Sequence, residues 1–389
     1  KAAAGQHEAV LNAFARHILY GEPLVAEGPE GIRGLEISNA AFLSSWLDKT
    51  VTLPIDENLL SSNDCDVTLN VEVALLKSTN WTDAGHVVAA DEFIISEKHN
   101  RLSAKEESEL DPLKVFTEED RYLRVENGRI AAKFDRIDGK MQSLCLDGKE
   151  ILHMQGGPVF NWYRYISNDR RWYDETRTKV ISYSYVVGPD RKSVTVTFSL
   201  ETTAGKSVVP YTVTYDICGA GYVDVEDNFH VGKDFNLPRL GLQMMLGAEY
   251  ENVAWYGRGP MENYVDRKDA AFLGVYNTTV TDMAEHYVRT QTMGERCDTR
   301  WLKFTSKNGN TVSITADESF DFSAQHFTDP DIFNVKYGND LDKIRRPEVV
   351  LVLDCVMRGI GNGSCGPGPM RKYEIERNKD YSYKFRISK

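Results

Sequence analysis

A chain of 389 residues with 58 acidic against 46 basic side chains carries a formal net charge of −12, a field that repels phosphate backbones and anionic lipid and so argues against nucleic acid or a membrane as partner. The apolar fraction of 41% is that of a soluble globular protein; no apolar run approaches the roughly 18 to 20 residues of a membrane span, and no charged-then-apolar leader stands at the start. The six cysteines, at 65, 145, 218, 297, 355 and 365, lack C-x-x-C spacing, which speaks against a zinc site and reads as mostly buried thiols.

The chain opens at Lys1 rather than at a methionine, which suggests a piece of a longer protein or a natural small subunit. Gln6–His17 is the best helical candidate, short, without a convincing cap and equally readable as a strand. About 100 residues precede an acidic stretch and match the size of an immunoglobulin-like sandwich, so 1–98 is expected as a first domain. Lys105–Arg121, with seven acidic and three basic residues around Pro112, reads as a linker or an edge. The expected division is a linker over 99–114 and a second domain over 115–389. Within it Ile130–Leu152 reads as a meander, because Asp138-Gly139 and Asp147-Gly148 flank an apolar run and Asp-Gly tolerates the positive φ of tight hairpins. Ser193–Leu200, Tyr211–Ile217 and Tyr222–Val231 alternate apolar and polar residues with period two, the pattern of half-buried strands. The fold class is therefore all-β, and so many regularly spaced strands suggest two large stacked antiparallel sheets.

Four stretches concentrate residues that could do chemistry. In Pro158–Tyr173, aromatic rings alternate with Asn161, Arg164, Asn168, Asp169, Arg170 and Arg171, either the mixture that suits sugar faces and hydroxyls or a strand whose aromatics fill a sheet interface while its arginines snorkel; both readings stay open at Asn168 and Asp169, whereas Trp162 and Tyr163 read as core. Tyr256–Lys268 has a functional reading with Glu262 as general acid or base and Arg258 or Arg267 as an anion clamp. Its structural reading has Gly257, Gly259 and Pro260 shaping a turn while Glu262, Asn263, Asp266 and Arg267 tie it down, and this reading is favoured. His326, between Phe322 and Phe327, is either a proton-transfer group or a satisfied core histidine, with the second favoured. Gly359–Pro369 is a bent loop without the features of a phosphate loop, and no base flanks Cys365. The eight histidines show no metal-ligand spacing, so no metal or cofactor is expected.

Read in order, these motifs resemble the C-terminal part of the large β-galactosidases of glycoside hydrolase family 2. Gly257, Gly259, Pro260, Glu262, Asn263, Tyr264, Asp266 and Arg267 match a GxGPxENYxDR signature; Phe322–Asp329 matches FSAxHxTxxD, with His326; Gly359–Gly363 matches a closing GIGG-type loop. Trp81–Phe93 is similar to the WxxAGHxxAxxxF strand ending the family's preceding immunoglobulin-like domain. The resemblance covers nearly the whole chain. It implies an immunoglobulin-like β-sandwich followed by a galactose-mutarotase-like β-supersandwich, both downstream of a (β/α)₈ barrel that holds the two catalytic glutamates. The βα alternation of such a barrel is missing here, so this chain is expected to be inactive alone, with the upstream barrel as its partner and a galactoside reached through that complex. The parent is expected to be a soluble homo-oligomer, cytoplasmic or periplasmic.

The resemblance also implies that two loops approach the sugar pocket, edged here by Asn168 and Asp169 and by Ser364 and Cys365. The family's FWRAPxDND reads here as the shorter WYRYISND, and Cys365 stands where well-known relatives place a tryptophan, with far less apolar surface for stacking. Two alternatives remain beside this one. A stand-alone aldose mutarotase would use His326 or His230 as acid and Glu262 as base across an open cleft; a carbohydrate-binding module would bind galactosides by itself.

Overall fold

The computed structural model describes residues 65–99, 101–103, 111–166, 169, 176–361 and 367–389. The chain divides into two compact units, Lys1–Lys98 and His99–Lys389. In the first, β1 (Val67–Ala74) and β2 (Val87–Ser96) form an antiparallel pair. The loop between them is closed by Leu75 N–H donating to His86 O at 2.9 Å, with the Trp81 and His86 rings edge to face at 5.3 Å. Residues 1–64, including the expected helix at Gln6–His17 and most of the expected sandwich, lie outside the described residues.

The second unit opens with an antiparallel meander: β3 (Lys114–Glu118), β4 (Tyr122–Glu126), β5 (Ile130–Asp135), β6 (Lys140–Leu146) and β7 (Lys149–Glu150), paired in sequence order. The two Asp-Gly turns work as their chemistry requires, with Gly139 at φ +66°, Asp147 at +49° and Gly148 at +75°. In β4 and β5 every second residue, Leu123, Val125, Ile130, Ala132 and Phe134, is buried. Within the acidic stretch expected as linker or edge, β3 is an edge strand of this sheet, and Leu113 beside it is fully buried. Arg101 N–H donates to Asp317 O at 3.0 Å, and Arg386 Nη1 donates to Ser103 O at 2.8 Å. The described part of the expected linker thus lies on the second unit's own strands.

The larger sheet has twelve strands: β8 (Val159–Asn161), β9 (Thr176–Val187), β10 (Ser193–Ala204), β11 (Ser207–Cys218), β12 (Tyr222–Val231), β13 (Arg239–Leu246), β14 (Asn252–Gly259), β15 (Phe272–Thr279), β16 (Arg296–Thr305), β17 (Thr311–Gln325), β18 (Val349–Met357) and β19 (Lys379–Ser388). Its main path runs β15-β14-β16-β17-β19-β12-β11-β10-β9. The long β17 causes the branch: Ser313–Ala316 pair with β19, then Asp321–Gln325 pair with β18, which carries β13 and β8 behind it. A register shift in β16 around Asp298, at φ +53°, accompanies the fork, as bulges do where a sheet must bend. The alternating strands β10, β11 and β12 turn Val194, Val196, Phe198, Val213, Tyr215, Val223 and Val225 inward, into one core shared with Phe134 and Leu144 of the meander. A short helix, α1 (Asp329–Phe333), follows β17, with Thr328 and Asp331 as a reciprocal capping box. Among the described residues no helix is long and apolar enough to cross a membrane. Cys218 and Cys297 are buried, Cys145 and Cys355 half-buried, and Cys65 exposed.

Candidate functional site

The signature segment begins where β14 ends. A Cβ on Gly257 would stand 2.6 Å from the Thr299 hydroxyl and 2.8 Å from its Cα, and one on Gly259 would stand 2.7 Å from the Tyr276 ring. Only glycine lets these strands approach so closely. Beyond Pro260 the chain turns under Asn263, which is fully buried: its Oδ1 accepts Cys297 N–H at 2.8 Å and its Nδ2 donates to Met261 O at 3.0 Å. Tyr264 N–H and O then bond Arg267 O and N–H, at 3.3 and 2.7 Å, closing a tight turn that presents Asp266.

Glu262 is the acceptor at the centre. Its Oε1 receives Arg267 Nη2 at 2.5 Å and the Tyr287 hydroxyl, and its Oε2 receives the Tyr264 hydroxyl at 3.2 Å and Gly294 N–H at 2.9 Å. Burial, with Glu262 beside it, pushes the Tyr287 phenol up to about 12. Asp266 faces the other way: Oδ1 accepts Ile360 N–H at 3.0 Å and Oδ2 accepts Gly361 N–H at 2.7 Å. Arg258 and Lys268 both bond Asp298, at 2.5 and 2.8 Å. Although Asp298 is largely desolvated, these cations hold its carboxyl below the usual range.

A second tie comes from the segment after β8. Arg164, 1% exposed, donates to Asp169 through Nε at 2.8 Å and Nη2 at 3.1 Å, and also to Arg358 O and to Gly359 O, the latter at 2.9 Å. Arg358 pairs with Asp169 as well. The Asp169 carboxylate, its side chain 3% exposed, is desolvated, which alone would raise its pKa, but the two guanidinium groups hold it low. Deeper still, Arg239 is fully buried between Asp354, Asp329 at 3.0 Å and Glu295 at 3.3 Å. Burial and mutual repulsion raise the pKa values of Glu295 and Asp354, the behaviour of carboxyl groups that outnumber their cation.

These segments enclose an open cavity of about 650 Å³. Glu262, Tyr264, Asp266, Arg267 and Asp269 form one side; Tyr287, Gln291 and Thr292 another; Ile360, Gly361, Pro367, Gly368, Pro369, Met370 and Tyr373 the third, with Ile166 at the end. The wall of Glu262, Arg267 and Tyr287 separates it from a second cavity of about 340 Å³ lined also by Met261, Asn263 and Glu285. Rings, amide, guanidinium and carboxylates around one concavity suit a polyhydroxylated ligand. No histidine is among the described residues that line the larger cavity, and among the described residues no group of three His, Cys, Asp or Glu is arranged to hold a metal ion.

The signature residues are thus gathered at one place: Glu262, Tyr264, Asp266 and Arg267 face the cavity while Gly257, Gly259, Pro260 and Asn263 build the corner beneath. Asp169 stands behind, reaching the glycine segment through Arg164. Asn168, Ser364 and Cys365 lie outside the described residues. His326 is elsewhere and satisfied as a core histidine, with Nδ1 3.0 Å from Glu348 O and Nε2 2.9 Å from Glu251. His230 is on the surface, 2.7 Å from Asp380. The mutarotase arrangement of a histidine facing Glu262 is not what these contacts make. Tyr287, Gln291 and Tyr373 also line the cavity, from segments without a motif that could have marked them.

A family model described as beta galactosidase small chain matches residues 126–387. The chain belongs to the β-galactosidase small-chain family. A second model, beta-galactosidase domain 4, matches residues 33–96. Among similar proteins, a β-galactosidase of Actinobacillus pleuropneumoniae is 26% identical over 338 residues, covering 84% of this chain and 32% of that protein. One of Vibrio vulnificus is 24% identical over 379 residues, covering 89% and 35%. One of Priestia megaterium is 26% identical over 275 residues, covering 68% and 26%. This small-chain family member therefore matches about a third of the length of such relatives or less. Similar solved structures include a galactose mutarotase related enzyme from Lactobacillus acidophilus, 9% identical with a TM-score of 0.40, covering 68% of this chain and 96% of that one. A putative aldose 1-epimerase from Escherichia coli K12 is 8% identical with a TM-score of 0.39, covering 71% and 98%.

Proposed function

We propose that the chain is the noncatalytic C-terminal portion of a β-galactosidase, leaning against an upstream catalytic (β/α)₈ domain and edging its sugar pocket during hydrolysis of terminal β-galactosides. One observation carries this reading: both oxygens of each signature carboxylate at the cavity are engaged by the chain's own donors. Glu262 accepts from Arg267, Tyr264, Tyr287 and Gly294, and Asp266 accepts from Ile360 and Gly361. A retaining glycosidase needs two carboxyl groups about 5 to 5.5 Å apart, one to give a proton and one to attack. Carboxylates engaged as these are serve architecture instead. The remaining two thirds of a full-length relative is where the catalytic pair belongs in this reading.

Residues 1–98 would be the immunoglobulin-like sandwich before the final domain, with 99–114 joining them. Asn168, Asp169, Ser364 and Cys365 edge the pocket, Asp169 by holding Arg164 and Arg358 rather than by touching sugar. The parent is a homo-oligomer working in water. The test is Cys365→Trp in the full-length enzyme: Michaelis constants for a panel of galactosides should shift as stacking surface is added, and unchanged constants across the panel would contradict the edging role.

A further inference from the structure

Residues 359–361 form the hinge of the cavity's third wall, and three separate elements hold them. Arg164 donates to Gly359 O at 2.9 Å, Gly359 N–H donates to Tyr373 O at 2.9 Å, and the Asp266 carboxylate takes Ile360 and Gly361 N–H, one on each oxygen. The fit is close. A Cβ on Gly359 would stand 2.6 Å from Asp266 Oδ2, and Gly361, at φ +61°, would place one 2.6 Å from Gly368 C and Pro369 N. The two arms of the wall, 360–361 and 367–369, are therefore in direct contact, so whatever fixes the first arm fixes the second. A carboxylate accepting two backbone N–H groups makes a pair of charge-assisted bonds with little freedom to shift.

We propose that Asp266 is a positioning residue for substrate binding: it sets the wall formed by Ile360, Gly361, Gly368 and Pro369, and through that wall the fit of the sugar or its leaving group. This rests on the β-galactosidase reading above. Both Asp266 oxygens hold backbone amides of the wall, so its effect falls on binding rather than on the chemical step. Asn at this position keeps the size but offers one acceptor and turns an N–H₂ toward one of the two amides, leaving that donor unmatched.

The experiment uses the full-length enzyme with a nitrophenyl β-galactoside and lactose. Asp266→Asn should raise KM about tenfold while kcat stays within about threefold, the split expected when binding geometry rather than transition-state chemistry is lost. Gly359→Ala, which displaces the same carboxylate by crowding, should give the same split. Hydrogen exchange at 359–361 should accelerate in both variants, and Asp266→Glu should restore part of the protection and part of the KM. Unchanged KM in both variants despite lost protection overturns the positioning role, and so does unchanged protection. A general loss of folding in Asp266→Asn, with Gly359→Ala normal in KM, overturns it too. If wild-type full-length enzyme leaves β-galactosides intact, the parent reading falls and takes this proposal with it.

Discussion

Arg164→Met is the perturbation whose cost follows most directly from the geometry. The guanidinium makes two bonds to Asp169 and one each to Arg358 O and Gly359 O, all in a site where Arg164 is 1% exposed. Methionine fills the volume but offers no donor. Two carbonyls then lose a buried partner at about 1 to 3 kcal/mol each, and Asp169 keeps only Arg358. Breaking a buried pair by removing one partner costs about 3 to 5 kcal/mol, so with every contribution at the low end of its range about 5 kcal/mol is expected in all. At about 2 to 4 °C per kcal/mol for a unit of this size, the midpoint should fall by about 10 °C. Arg164→Lys keeps the charge without the planar fork and should lose about half as much. The assay is thermal and urea unfolding of both variants, with Asp169→Asn and the double variant completing a cycle. Asp169 is held below its ordinary pKa, so its contribution is present above about pH 4 and lost as pH falls through the folded value. The Asp169→Asn deficit should accordingly shrink in acid. A loss under about 1 kcal/mol for Arg164→Met, or additivity of the two single variants, would refute the reasoning.

Asp227 gives the opposite pH dependence. It is fully buried, neither carboxyl oxygen has a bonding partner among the described residues, and burial, then Glu226, raise its pKa well above the usual range. Folding then binds a proton, and stability falls by about 1.4 kcal/mol per pH unit from about pH 4 until the folded group ionises. Asp227→Asn should therefore gain on wild type steadily between pH 4.5 and 6.5 in urea titrations; parallel curves would show that the group is not buried as acid. Glu262→Gln in the full-length enzyme should keep kcat within about tenfold, whereas a general acid or base would cost about 10² to 10⁴-fold. Gly259→Ala meets the Tyr276 ring at 2.7 Å and should destabilise by about 1 to 3 kcal/mol, read as a lower melting midpoint.

What the sequence disclosed was local. The period-two alternation of 193–200, 211–217 and 222–231 places residues on opposite faces of a strand, and the strands at those positions are β10, β11 and β12. Asp-Gly pairs carry their own φ preference, so the meander was legible as well. The corner at 256–268 was recognisable because its residues are contiguous. Less could be read where partners are far apart in the chain. Nothing near Arg239 announces Glu295, Asp329 and Asp354, and nothing near Asp266 announces Ile360 and Gly361, because β17's change of partner brings distant segments together. The acidic stretch before Arg121 reads as linker or edge because its charges outnumber its apolar residues, and Leu113 and Val115 suffice to seat an edge strand there.

The central claim is that this scaffold owns no hydrolytic pair and serves a catalytic domain carried on another part of the protein. The most direct test is to purify the 389-residue chain alone, incubate it with a chromogenic β-galactoside, and compare it with the same chain joined to its upstream portion. The account predicts no release of chromophore above the spontaneous rate from the chain alone and turnover from the joined protein. Cleavage at an enzymatic rate by the chain alone would contradict it.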